Sequence, residues 1–124
     1  MAATKWPFMS KFMKYFKSLK KNWEFQKIYK TGKSFANKFL IMYVTENNTD
    51  SNNLGITVSK KVGNSVVRHR VTRLIKENFR LQEMIFNSGL NIVVVARAST
   101  SEASCHDIGK AVLHLAKLHK IIKK

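Results

Sequence analysis

The sequence predicts an α+β fold, a small sheet packed by two or three helices, and three stretches carry that prediction. Leu54, Ile56 and Val58 alternate with Gly55, Thr57 and Ser59, the two-residue period of a strand covered on one face. Val67, Val71, Leu74, Asn78, Leu81 and Ile85 gather on one side of a helix that turns about 100° per residue. Leu90 to Ala96 is a nearly continuous apolar run after an Asn87-Ser88-Gly89 turn, the pattern of a buried strand. At 124 residues the chain is long enough to bury one core, and no repeat or Pro- or Gly-rich linker divides it.

The elements follow in order. Residues 1–18 read as a basic aromatic extension in which Trp6, Phe8, Phe12, Tyr15 and Phe16 are interleaved with Lys5, Lys11, Lys14 and Lys17. A mobile or weakly helical segment is the plainer reading and an RNA-touching arm the sharper one. A transit peptide fits less well, because the stretch has no Arg. The domain proper is expected over residues 19–124. Asn22 to Lys30 is predicted as a short helix with Trp23, Phe25, Ile28 and Tyr29 apolar and Gly32 as its stop. Phe39 to Glu46 reads as a strand covered on both faces, Leu40, Met42 and Val44 on one and Phe39, Ile41 and Tyr43 on the other. The polar run Asn47 to Asn53 then suggests a turn into the next strand and an antiparallel hairpin. Gly63 permits a turn, and Asn64 or Ser65 caps the long helix. Ser104 caps a last helix in which Ile108, Val112, Leu115, His119 and Ile122 share a side. The order is helix, strand, strand, helix, strand, helix.

Charge narrows the function. Lys and Arg number 23 against 7 Asp and Glu, a formal net charge of +16. A chain this cationic repels itself, so a polyanion, foremost nucleic acid, is the expected partner. The long helix carries His69, Arg73, Lys76 and Arg80 as a stripe, flanked by Arg68 and Arg70 and led in by Lys60 and Lys61. Such a stripe is ordinarily a solvated face; the net charge tips the balance toward nucleic acid. An anionic membrane surface is the second candidate. It is disfavoured because the strands and the basic helix share one apolar side, as in a globular core, and no run approaches the length of a membrane span. Cys105 is the one cysteine, which excludes an intramolecular disulfide, and Met1 to Lys20 lacks the apolar core of a secretory signal. The chain reads as cytoplasmic. Seven scattered carboxylates, no nucleophile motif and no Cys/His cluster leave no catalytic residue and no metal site to assign to the protein.

Three blocks carry a resemblance that covers roughly four fifths of the chain: Asn22-Trp23-Glu24-Phe25-Gln26-Lys27-Ile28-Tyr29-Lys30-Thr31-Gly32-Lys33-Ser34-Phe35-Ala36-Asn37; Gly55-Ile56-Thr57-Val58-Ser59-Lys60-Lys61-Val62-Gly63-Asn64 running into Val67-Arg68-His69-Arg70-Val71-Thr72-Arg73-Leu74; and Asn91-Ile92-Val93-Val94-Val95-Ala96-Arg97. From Leu19 to about Ile122 the sequence resembles the protein subunit of bacterial ribonuclease P. The central block is similar to the family's Arg-Asn-Arg helix, with His69 where the family usually has Asn and Thr72 where it usually has a basic residue.

The resemblance implies a ribonucleoprotein endoribonuclease in which RNA is the catalyst, magnesium sits mainly on the RNA, and the protein is an accessory subunit in removing the 5′ leader of precursor tRNA. It implies a left-handed strand-helix-strand crossover around the basic helix. It assigns Lys60, Lys61, Asn64, Arg68, His69, Arg70, Arg73 and Lys76 to the catalytic RNA, and a cleft of Phe25, Tyr29 and Tyr43 with Thr57, Ser59, Lys27 and Lys33 to the single-stranded leader. Partners are then ribonuclease P RNA and precursor tRNA, with no membrane and no obligate protein partner. Without the resemblance, the three aromatics read as plain core. A ribosomal or other structural RNA-binding protein would share the charge and size; a protein-only nuclease would need the carboxylate or His cluster that the sequence lacks.

Overall fold

The structure, a computed structural model, describes residues 16–123. The strands are β1 (Phe16–Ser18), β2 (Lys33–Ala36), β3 (Leu40–Glu46), β4 (Asn52–Val58) and β5 (Leu90–Ala96). The helices are α1 (Asn22–Thr31), α2 (Ser65–Gln82) and α3 (Cys105–His119), with short 3-10 turns at Glu83–Ile85 and Ala98–Glu102. The strands form one mixed sheet in the order β1-β4-β5-β3-β2, so the α+β expectation holds.

The expected hairpin between β3 and β4 does not form. β5 lies between them, antiparallel to β3 and parallel to β4, and α2 bridges the parallel pair β4 and β5. The physical reason is burial: Ile92, Val93 and Val94 are fully buried, so β5 needs cover on both faces and neighbours on both edges. Side chains fill the polar turn instead. The Nδ2 of Asn47 donates to Ser51 O at 3.1 Å and to Asn91 Oδ1 at 3.2 Å, and Asn53 Nδ2 donates to the same Asn91 oxygen at 2.8 Å.

Two short strands have no clear sequence signal. β2 is exposed along its length at the sheet edge. β1 pairs with β4 from Phe16↔Asn52 to Ser18↔Leu54 and sends Phe16 into the core, edge-on to Phe79 at 5.7 Å and to Phe86 at 5.5 Å. Of the extension expected over residues 1–18, Phe16–Ser18 therefore belong to the sheet, and the remainder lies outside the described residues.

The core lies between one sheet face and the pair α2 and α3, where Leu40, Met42, Leu54, Ile92 and Val94 meet Val71, Ile75, Phe79, Ile108, Val112 and Leu115. Ile75 and Phe79, rather than Leu81, continue the apolar side of α2 beyond Val71. Leu81 is 53% exposed, because it is turned well away from those two residues at about 100° per residue. Asn78 is buried among them and is satisfied. Its Nδ2 donates to Leu74 O at 2.9 Å and to Cys105 O at 3.2 Å, tying α2 to the first turn of α3.

Both long helices start where their caps predict. Asn64 Oδ1 accepts from Val67 N at 3.0 Å. Ser104 and Asp107 cap reciprocally, each backbone N–H donating to the other's side chain at 3.0 Å. The N–H of Ser104 holds the Asp107 carboxyl below its ordinary pKa. At its other end α3 closes on His119, whose Nε2–H donates to Met42 O at 2.9 Å. Ile122, expected on the helix, lies beyond it and bridges to Phe86.

Candidate nucleic-acid interface

The opposite sheet face carries α1. Along it Gly55, Val93 and Tyr43 stand side by side across β4, β5 and β3, and Thr57, Val95 and Ile41 form the next row. Phe25 and Tyr29, one turn apart on α1, face this surface with ring centroids 6.5 Å apart. Tyr29 packs edge-on against Tyr43 at 4.9 Å, and its hydroxyl is 3.1 Å from Thr57 Oγ1. The structure thus brings Phe25, Tyr29, Tyr43 and Thr57 together. All four are half-buried, which distinguishes them from the core residues behind the other face.

Gly55 belongs to the set and was not singled out in the sequence. A Cβ there would lie 2.5 Å from Phe25 Cε1, so the missing side chain is what lets the ring approach the strand. A glycine inside a strand pattern is the signal that points to such an approach.

Three expected cleft residues lie elsewhere. Lys33 pairs with Val44, and the two-residue alternation puts it on the face away from Tyr43, where it lines a cavity of about 520 Å³ with His119 and Lys120. Lys27 is exposed two residues from Phe25, about 200° round α1 and so on its solvent side. Ser59 is exposed past the end of β4, and its Oγ accepts from Lys61 N at 3.3 Å in the turn that leads to α2. Tyr43 reaches Thr57 only through Tyr29, since the two strands are not neighbours.

The basic stripe of α2 divides in three. His69 and Arg73 are exposed and share a recess of about 400 Å³ with Val66, Arg70, Leu74 and Glu77. Lys76 turns toward the sheet edge, where it and Thr72 form, with Lys17 and Lys20, the rim of a groove of about 280 Å³ over Leu54 and Ile56. Arg70 is engaged by the protein itself: its Nη2 donates to Ser101 O at 2.6 Å, fastening the turn after β5. Arg80 is likewise committed, donating from Nε to Glu77 at 3.1 Å, and that carboxylate raises its pKa.

Arg68 is half-buried, and its Nε has no hydrogen-bond partner. An open donor of this kind costs about 1–3 kcal/mol. Lys60 and Lys61 are exposed in the turn just before Asn64, close to the start of α2. Thr72, where the family resemblance shows a departure, donates back to Arg68 O at 2.9 Å.

Among the described residues no group of three His, Cys, Asp or Glu side chains gathers to hold a metal ion, and no helix is long and apolar enough to cross a membrane. The two sides of the sheet thus differ: α2 carries a cationic stripe on one, and an aromatic-lined cleft lies under α1 on the other.

Comparison with known proteins identifies the arrangement. The sequence model of the family described as Ribonuclease P matches residues 13–120. The ribonuclease P protein component of Lachnoclostridium phytofermentans is 60% identical over 105 residues, 85% of this chain and 90% of the relative. That of Alkaliphilus metalliredigens is 49% identical over 104 residues, 84% of this chain and 94% of the relative. Among solved structures, the Staphylococcus aureus RNase P protein superposes with a TM-score of 0.79 at 36% identity, covering 86% of this chain and 97% of that one. The Thermotoga maritima RNase P protein gives 0.76 at 28% identity, covering 82% and 96%. The chain belongs to the ribonuclease P protein family and is a protein component of that RNA-containing complex.

Proposed function

We propose that this chain is the accessory subunit that binds the catalytic RNA through the α2 surface and the 5′ leader of precursor tRNA through the cleft under α1, promoting removal of the leader. The observation that carries the reading is the half-buried set Phe25, Tyr29 and Tyr43 over Gly55, on the sheet face opposite α2. Aromatic faces in a cationic protein stack bases of a single strand with little sequence preference. Arg68, His69, Arg73 and Lys76, with Lys60, Lys61 and the cap Asn64, meet a folded RNA by shape and phosphate, because an RNA helix hides its base edges in a deep groove. Arg70 serves this surface indirectly, by holding the turn behind it. The RNA subunit is the catalyst and the main holder of magnesium in this reading.

Reconstitution tests it. The purified chain alone is expected to cut no RNA, and with a bacterial ribonuclease P RNA it should restore processing of precursor tRNA at magnesium concentrations where that RNA is nearly inactive. Cleavage by a protein preparation shown to be free of RNA would sink the division of labour. Tyr43→Ala should weaken binding of precursor tRNA to the holoenzyme and leave mature tRNA, which has no leader, unaffected.

A further inference from the structure

Trp23 is 62% exposed on α1, although a side chain of its size is ordinarily mostly covered. Lys27 and Lys30 follow it by four and seven residues, so they lie on the same side of the helix, and both are exposed. Lys20 and Lys21 are exposed just before the helix begins. The acid of α1, Glu24, is turned about 100° from Trp23 and accepts from Lys21 N at 3.2 Å. This face therefore offers an exposed indole flanked along the helix by the ammonium groups of Lys27 and Lys30.

We propose that the far face of α1 is a second contact for single-stranded RNA, in which Trp23 stacks on an unpaired base of the precursor leader upstream of the nucleotides held in the cleft. The inference rests on the cleft reading given above. Phe25 and Tyr29 line the cleft from the sheet side of the same helix whose solvent side carries Trp23. A helix with its side chains is about 10–12 Å across, so a strand leaving the cleft past the start of α1 reaches Trp23 after a short turn. Lys21, exposed at the start of α1, stands beside that path to meet its phosphates. The α2 surface lies on the other side of the sheet, which favours the leader over the RNA subunit as occupant. Every base has a π-face, so this contact tolerates any leader sequence.

Trp23 is also its own probe, since the chain has two tryptophans. In a Trp6→Phe holoenzyme, assembled with a bacterial ribonuclease P RNA, precursor tRNA with a long leader should quench Trp23 emission. A leader just long enough to fill the cleft, and mature tRNA, should not. Trp23→Ala should lower affinity for the long-leader precursor by roughly tenfold, Trp23→Phe should restore most of it, and neither should move the melting temperature. Absence of quenching with unchanged affinities overturns the proposal. So does an equal loss for all three RNAs, which would place Trp23 against the RNA subunit. Shielding of Trp23 from acrylamide in the free Trp6→Phe chain also overturns it, because the face is then covered by this chain or a second copy. A wild-type holoenzyme that does not prefer a short-leader precursor to mature tRNA would instead defeat the cleft reading itself.

Discussion

Gly55 shows how one missing side chain shapes a site. The Phe25 ring occupies the space where a Cβ would stand, 2.5 Å from Cε1 and 2.6 Å from Cζ. Gly55→Ala must push the ring outward, and because a ring end can swing, the stability cost should be about 1 kcal/mol, the low end for overpacking. Preference for precursor over mature tRNA should fall with the displaced ring. A denaturation curve beside the two affinities checks both, and an unchanged preference would remove Phe25 from the cleft. His119 makes a pH-dependent contribution to stability at the other end of the sheet. It lies edge-on to Phe35 at 4.8 Å, and burial lowers its pKa, partly offset by the Met42 carbonyl, with Lys33 adding to the depression. The unfolded chain takes up that proton at about pH 6.5, the folded chain only at a lower pH. Stability from this group is therefore complete above about pH 6.5 and declines as pH falls through the folded pKa. The urea midpoint should drop on acidification, and His119→Gln should flatten the drop; an identical profile in the variant would assign it to other groups.

At the scale of the element, α2 shows what a helical stripe does and does not reveal. Its start was legible because Asn64 caps through its own side chain, a local event written in adjacent residues. Which cations stay available was not legible, since that depends on the turn after β5, which the fold brings to Arg70 from thirty-one residues away. Arg73→Ala should therefore lower the log-log salt slope of RNA binding by roughly 0.7 to 0.9 and leave stability intact. Arg70→Ala should cost about 1 kcal/mol of stability through its lost bonds to backbone carbonyls. Equal effects of the two on both measurements would erase the distinction. Lys33 was misplaced for a related reason. β2 is four exposed residues with no apolar alternation, so its facing is set only by pairing with β3. The aromatics of α1 were easier: one turn separates Phe25 from Tyr29, and that spacing alone puts them on one side.

For the whole molecule, the sheet order and the charge have to be taken together. The sequence showed a buried strand at Leu90 to Ala96 but not its place in the centre, because nearest-neighbour logic joins consecutive strands and the long crossover through α2 defeats it. Once β5 is central, the sheet has two working faces, with α2 and α3 on one and α1 on the other. Cations are spread over both: Lys20, Lys21, Lys27 and Lys30 around α1, and Arg68, Arg73 and Lys76 on α2. With a formal charge of +16, these groups repel one another across a domain only a few helix widths across. At about 0.1 M salt the screening length is near 10 Å, so added salt weakens repulsion between exposed charges farther apart than that. Salt should consequently act on this protein with two opposite signs. It should raise the melting temperature of the free chain, by screening a repulsion that folding concentrates, and weaken the RNA complex, by reducing the gain from counterion release. The two trends, followed by thermal melts of the protein alone and by titration with ribonuclease P RNA over the same salt range, should cross. If the free chain instead melted lower as salt rose, attractive ion pairs such as Arg80 with Glu77 would dominate its electrostatics, and the view that the bound polyanion relieves a strained cationic fold would fail.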